Sequence, residues 1–145
     1  MHKIFGTKNN AVYTDREGVY LIPFHNNKLG VIKTNKGYFF LGGGLAENES
    51  HENCIIREYI EETGYTVKIK EFICSAETYC THPQFGFFHP IQYYYIGELQ
   101  EKVSEPIEAD HELIWFTFEE LKGKMFTEMQ NWALELIVKI LKDFR

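Results

Sequence analysis

The chain has 145 residues, 44% of them hydrophobic and 16% aromatic, with 15 Lys and Arg against 21 Asp and Glu for a formal charge of −6. That length fits one domain, 1–145, with a sizeable core; an acidic balance without a basic block excludes non-specific nucleic-acid binding as a main role. The three cysteines, Cys54, Cys74 and Cys80, form no CxxC pair, and no apolar run reaches signal-peptide or bilayer length, so the expectation is a soluble, cytoplasmic protein with free thiols and no membrane partner.

In chain order, GVYLIPF (residues 18–24) is an apolar run bounded by polar residues and reads as a strand. HNNK turns the chain, LGVIKT (29–34) is a second strand, and NKG closes a hairpin onto YFFL (38–41). The glycines at 42–44 are expected to end that strand. A loop, LAEN, leads to a helix over about Glu49 to Thr63, with Gly64 as its C-cap. TVKIKEFICSAETY (66–79) alternates as a long strand, THPQFGF (81–87) reads as a loop and HPIQYYYIGEL (89–99) as another strand. IEADHE (107–112) is an acidic loop before the short strand LIWFTF (113–118). From Thr127 to Phe144 the pattern is helical, with Ala133, Leu136, Ile137, Ile140, Leu141 and Phe144 on one apolar stripe. Strands, helix, strands, helix is the order of an α/β (α+β) domain, a mixed β-sheet flanked by helices.

The helix after the glycines raises a question of charge. At 3.6 residues per turn, Glu58, Glu61 and Glu62 fall within about a third of its circumference, and Ile56, Tyr59, Ile60 and Thr63 fall opposite, facing the core. Like charges at this spacing cost about 0.2–0.5 kcal/mol per pair, which a solvated face tolerates. A divalent cation turns the repulsion into attraction, because clustered carboxylates are hard oxygen ligands. The chemistry that follows is metal-assisted attack of water on phosphorus.

Read whole, the segment is Gly43, five residues, Glu49, seven residues, then Arg57-Glu58-Tyr59-Ile60-Glu61-Glu62-Thr63-Gly64-Tyr65. It resembles the Nudix box, Gx5Ex7REUxEExGU, of the Nudix hydrolases. Every charged and glycine position is present. Tyr59 and Tyr65 occupy the apolar U positions, Leu41 stands where Pro often precedes the glycines, Ala46 where a further Glu is common and Asn48 where Gly is common. The resemblance implies an α/β/α sandwich. It implies Mg²⁺, or Mn²⁺, held by Glu58, Glu61, Glu62 and the carbonyl of Gly42, with Glu49 and Arg57 paired to fix the loop against the helix. Gly43 and Gly44 would let the backbone approach metal and phosphate. A later acid often joins the site; Glu112 is favoured as ligand or base, then Asp110, with Glu108 and His111 beside them, and His82 and His89 as alternative bases.

The same resemblance implies a small-molecule nucleotide as substrate, a nucleoside diphosphate linked to another group, and admits a homodimer. Phe39, Tyr79, Phe85, Phe87 and Phe88 are the candidate stacking residues, and Lys33 and Arg16 the nearest upstream cations. Two other readings stand beside hydrolysis: a catalytically silent nucleotide sensor on the same fold, and a cation at the helix with a structural role alone.

Overall fold

The structure, a computed structural model, describes residues 1–107 and 112–143; Glu108, Asp110, His111 and Phe144 lie outside them. The described residues form the strands β1 (His2–Gly6), β2 (Thr14–His25), β3 (Lys28–Thr34), β4 (Gly37–Phe39), β5 (Leu41–Gly44), β6 (Tyr65–His82), β7 (Gly86–Lys102) and β8 (Leu113–Phe116). Between and after them come helices α1 (His51–Thr63), α2 (Phe118–Leu121) and α3 (Glu128–Asp143).

β2 is the hub. It runs parallel to β7 from Thr14↔Phe88 to Pro23↔Gly97 and antiparallel to β5 from Gly18↔Gly44 to Leu21↔Leu41. Past Pro23 it pairs instead with β3, at Phe24↔Leu29 and His25↔Lys28. The turn between them places Asn26 and Asn27 at φ 50° and 63°, the positive values that a tight hairpin asks of its central residues. β3 then carries β4 and β8.

The sheet is mixed and covered on both faces, as the element order predicts. Val19, Leu21, Leu41 and Val67 pack with Cys54, Ile55 and Tyr59 of α1. Ile22, Val31, Phe40, Ala76 and Tyr94 pack on the other face with Met129, Ala133, Leu134 and Ile137 of α3. The α3 seam is turned from the expected stripe: Leu134 and Val138 are buried, whereas Leu136 is only partly so. The rotation also brings Gln130, 1% exposed, into the core.

Three other expectations are corrected. The glycines at 42–44 do not end a strand but form β5, paired with β2. Residues 81–87 are mostly strand, with a tight turn closing on Gly86 at φ 70°. The strand at 113 stops at Phe116, because Thr117 caps α2: its Oγ1 accepts from the Glu120 amide at 3.2 Å. β1 is an added strand, parallel to β6; its short, polar sequence gave little alternation to read.

Candidate active site

β5 and α1 build the site. Ser50 caps α1 by accepting from the Asn53 amide at 3.1 Å, and Gly64, in the left-handed conformation at φ 76°, closes it. The helix lies against the glycine strand, and the glycines make room for it. A Cβ on Gly43 would run into the Glu58 carboxylate, and one on Gly42 into the backbone of Val19 and Tyr20.

This close approach decides which face of α1 is buried. Cys54, Ile55 and Tyr59 are fully buried and Glu62 is 7% exposed, while Ile56, Ile60 and Thr63 are only partly covered. The expected division into an acidic side and an apolar side is therefore wrong for Glu62, which belongs to the buried side. Periodicity could not show this, because the missing side chains lie on another strand.

Arg57 organises the acids. Its Nε donates to Glu49 Oε2 at 2.8 Å and its Nη2 to Glu49 Oε1 at 3.0 Å. Nη2 also donates to the Gly44 carbonyl at 3.2 Å, and Nη1 to Glu58 Oε1 at 3.0 Å, with Glu61 Oε2 at 3.5 Å. Glu49 in turn accepts from the Ala46 amide at 3.0 Å. The loop between them passes through Asn48 at φ 61°, a conformation that Asn tolerates better than most residues. The hydrogen bonds from Arg57, then the one from Ala46, hold Glu49 down at about 2. Glu58 moves the other way: burial, then the charge of Glu62, push it above the usual carboxylate range despite Arg57.

Three cavities surround these groups. A cleft of about 870 Å³ is lined by Asp15, Arg16, Gly44, Glu49, Arg57 and Glu58. A smaller one of about 260 Å³, on the α3 side, is lined by Arg16, Tyr20, Gly42, Gly43, Phe88 and Gln92. A third, about 410 Å³, places Glu62 and Glu112 among Tyr65, Leu99, Leu113 and Trp115. Arg16 borders the first two.

The structure thus gathers Gly42, Gly43, Gly44, Glu49, Arg57, Glu58 and Glu61. Glu112 lines the third, largely apolar cavity together with Glu62. Tyr79 stacks on His89 at 4.3 Å, and His89 Nδ1 lies 2.8 Å from Asp15 at the cleft. Phe85 reaches the small cavity only through Phe88, on which it stacks at 5.2 Å. Phe39 packs on the α1-side core and against Phe126 at 5.3 Å, and is not among the residues lining any of the three.

Among the described residues no three His, Cys, Asp or Glu are already gathered as metal ligands, for Glu58 turns toward Arg57. The residues fit a hard divalent cation on two counts. The donors are carboxylate oxygens on adjacent turns, and burial together with the charge of Glu62 raises Glu58, a cost that a bound cation would relieve.

The NUDIX domain family matches residues 11–138. A prenyl-diphosphate phosphatase of Methanosarcina mazei is 29% identical over 112 residues, which are 74% of this chain and 62% of the relative. The chain therefore spans less than two thirds of that relative's length. In structure, the chain is similar to a MutT protein from Methanosarcina mazei Go1, at TM-score 0.72 and 17% identity over 92% of this chain and 99% of that one. It is also similar to a MutT NUDIX hydrolase from Burkholderia pseudomallei, at TM-score 0.70 and 21% identity over 86% and 98%. At these identities the structural likeness concerns the fold.

Proposed function

The chain belongs to the NUDIX domain family, and on that premise we propose that it is a Mg²⁺-dependent pyrophosphohydrolase, with Mn²⁺ as a substitute, acting on a nucleoside diphosphate linked to another moiety. The observation that carries the reading is the seating of Glu58 against Gly43 with Arg57 beside it. A carboxylate pressed onto side-chain-free backbone, next to an open cleft, suits a site where a phosphate chain comes close to the main chain.

Glu58, Glu61, Glu62 and the Gly42 carbonyl would hold the cation, which when bound supplies charge for phosphate oxygens and acidity for water. Arg57 and Glu49 position the acids by tying β5, the loop and α1 together. A box glutamate not engaged by the cation, or Glu112, which lines a cavity with Glu62, would take the proton from the attacking water. Arg16 would meet phosphate oxygens in the larger cleft, which it lines. The free thiols support a reducing, cytoplasmic setting.

A second substrate class has its own support. The apolar cavity lined by Tyr65, Leu99, Leu113 and Trp115 adjoins Glu62, and the relative from Methanosarcina mazei is named for prenyl diphosphates. An isoprenoid tail would fit there with its diphosphate toward the same acids.

The test is a panel of nucleoside triphosphates, ordinary and oxidised, ADP-ribose, nucleotide sugars, dinucleoside polyphosphates and prenyl diphosphates with Mg²⁺. Metal-dependent release of phosphate or monophosphate from a nucleotide supports the proposal. Turnover of prenyl diphosphates alone selects the second class, and tight nucleotide binding without turnover points to a sensor.

A further inference from the structure

We propose that Gln92 makes the smaller cavity selective for a planar ring that offers hydrogen-bond acceptors, a keto nucleobase, and that a buried glutamine on α3 sets this polarity. The proposal rests on the nucleotide reading above and adds to it which bases the site prefers.

The relay begins at the backbone. The Phe40 amide donates to Gln130 Oε1 at 3.0 Å. With its oxygen fixed by that donor, Gln130 turns its Nε2 outward and donates to Gln92 Oε1 at 3.2 Å. The Tyr94 hydroxyl donates to the same oxygen at 2.6 Å. Burial holds the Tyr94 phenol well above its ordinary range, so it stays a donor. Gln92 Oε1 therefore accepts twice within the protein, and the amino group at Nε2 is what the side chain has left to offer the cavity.

The other walls agree. Arg16, a donor without acceptor capacity, borders the same cavity, and the rings of Tyr20 and Phe88 flank it. Phe88 is braced from behind by Phe85. A space of about 260 Å³ suits one ring rather than a whole nucleotide, and Arg16 connects it to the larger cleft where the phosphates would lie. Guanine presents O6 and uracil O4 at the edge where adenine and cytosine present an amino group. A keto oxygen accepts from Nε2, whereas an amino group there meets it donor to donor and leaves both unsatisfied.

The experiment compares kcat/KM for GTP and UTP with ATP and CTP, together with metal-free calorimetric binding of GMP and AMP. Wild type should prefer keto bases by about tenfold or more, the value of one well-made hydrogen bond. Gln92→Glu, which offers only acceptors when ionised, should reverse the ratio. Gln130→Glu still accepts from Phe40 but cannot donate to Gln92, so it should move the ratio in the same direction without touching the cavity; if it fails to fold, Gln92→Glu decides. Equal ratios in wild type, or a ratio that Gln92→Glu leaves unchanged, overturn the inference even where hydrolysis is robust. A GMP preference with no turnover of any triphosphate sustains it while removing the proposed reaction.

Discussion

Gly43 on β5 and Glu58 on α1 are in such close contact that one added methyl group would take the space of the carboxylate. Gly43→Ala should therefore act on Glu58 rather than on the backbone. Displacing a reacting group by about 1 Å can cost about a hundredfold in rate, and a loss of that order in kcat is expected with little change in the circular-dichroism spectrum. Measured kcat close to wild type would show that the contact is not part of the chemistry.

The Arg57–Glu49 pair gives a pH dependence of known sign. Glu49 is lowered from 4.5 to about 2 in the folded protein, so its contribution to stability is complete above the unfolded value and is lost as pH falls through about 2. Glu49→Gln should melt below wild type at pH 7, and the gap should close as the acid limit is approached. Arg57→Lys should not restore the pairing, since an ammonium cannot donate in a fork to Glu49 while also reaching Gly44 and Glu58. Thermal melts across pH check both statements.

A second acid acts far from the box. Glu77 accepts from His2 at 2.6 Å and from His89 at 3.0 Å, and so ties β1 and β7 to β6. Burial alone would raise Glu77, but these two hydrogen bonds outweigh it and leave it below 4.5. Its stabilisation is present above the unfolded value and disappears as pH falls through the lower folded one. Glu77→Gln should lower the melting temperature at neutral pH and converge with wild type in acid, with protection of β1 amides from hydrogen exchange reduced first.

Asn48 holds a left-handed conformation at the turn between β5 and α1. Asn48→Ala should cost about 1 kcal/mol, or about 3 °C in Tm, whereas Asn48→Gly should be neutral or slightly stabilising. The reverse order in a denaturant titration would show that the Asn side chain, not the backbone angle, matters there.

Much of this was legible in the sequence where the signal was local. Asn26 and Asn27, Gly64 and the spacing from Gly43 to Tyr65 depend on neighbours within a turn or two, and their readings of turn, cap and helix hold. What escaped was set by distant partners. Glu62 reads as one of three acids sharing a face of α1; that it is buried, beside Cys54 and Ile55, depends on the bare backbone of β5 drawing α1 down. Gln130, which no apolar stripe includes, is held inside by the Phe40 amide, ninety positions away. Glu112 reads as a neighbour of the box acids and, of them, shares a cavity with Glu62, since β8 joins the sheet through β3 rather than next to β5. Phe39 reads as a stacking residue but is occupied with the core.

The most direct measurement is a Mn²⁺ titration followed by electron paramagnetic resonance in the presence of a non-hydrolysable nucleotide analogue, on wild type and on Glu58→Gln and Glu61→Gln. Stoichiometric binding in wild type, weakened about tenfold or more by either substitution, is the expected result, because each removes an anionic oxygen donor. Equal Mn²⁺ affinity in all three proteins would contradict the claim that the acids of α1 hold the metal.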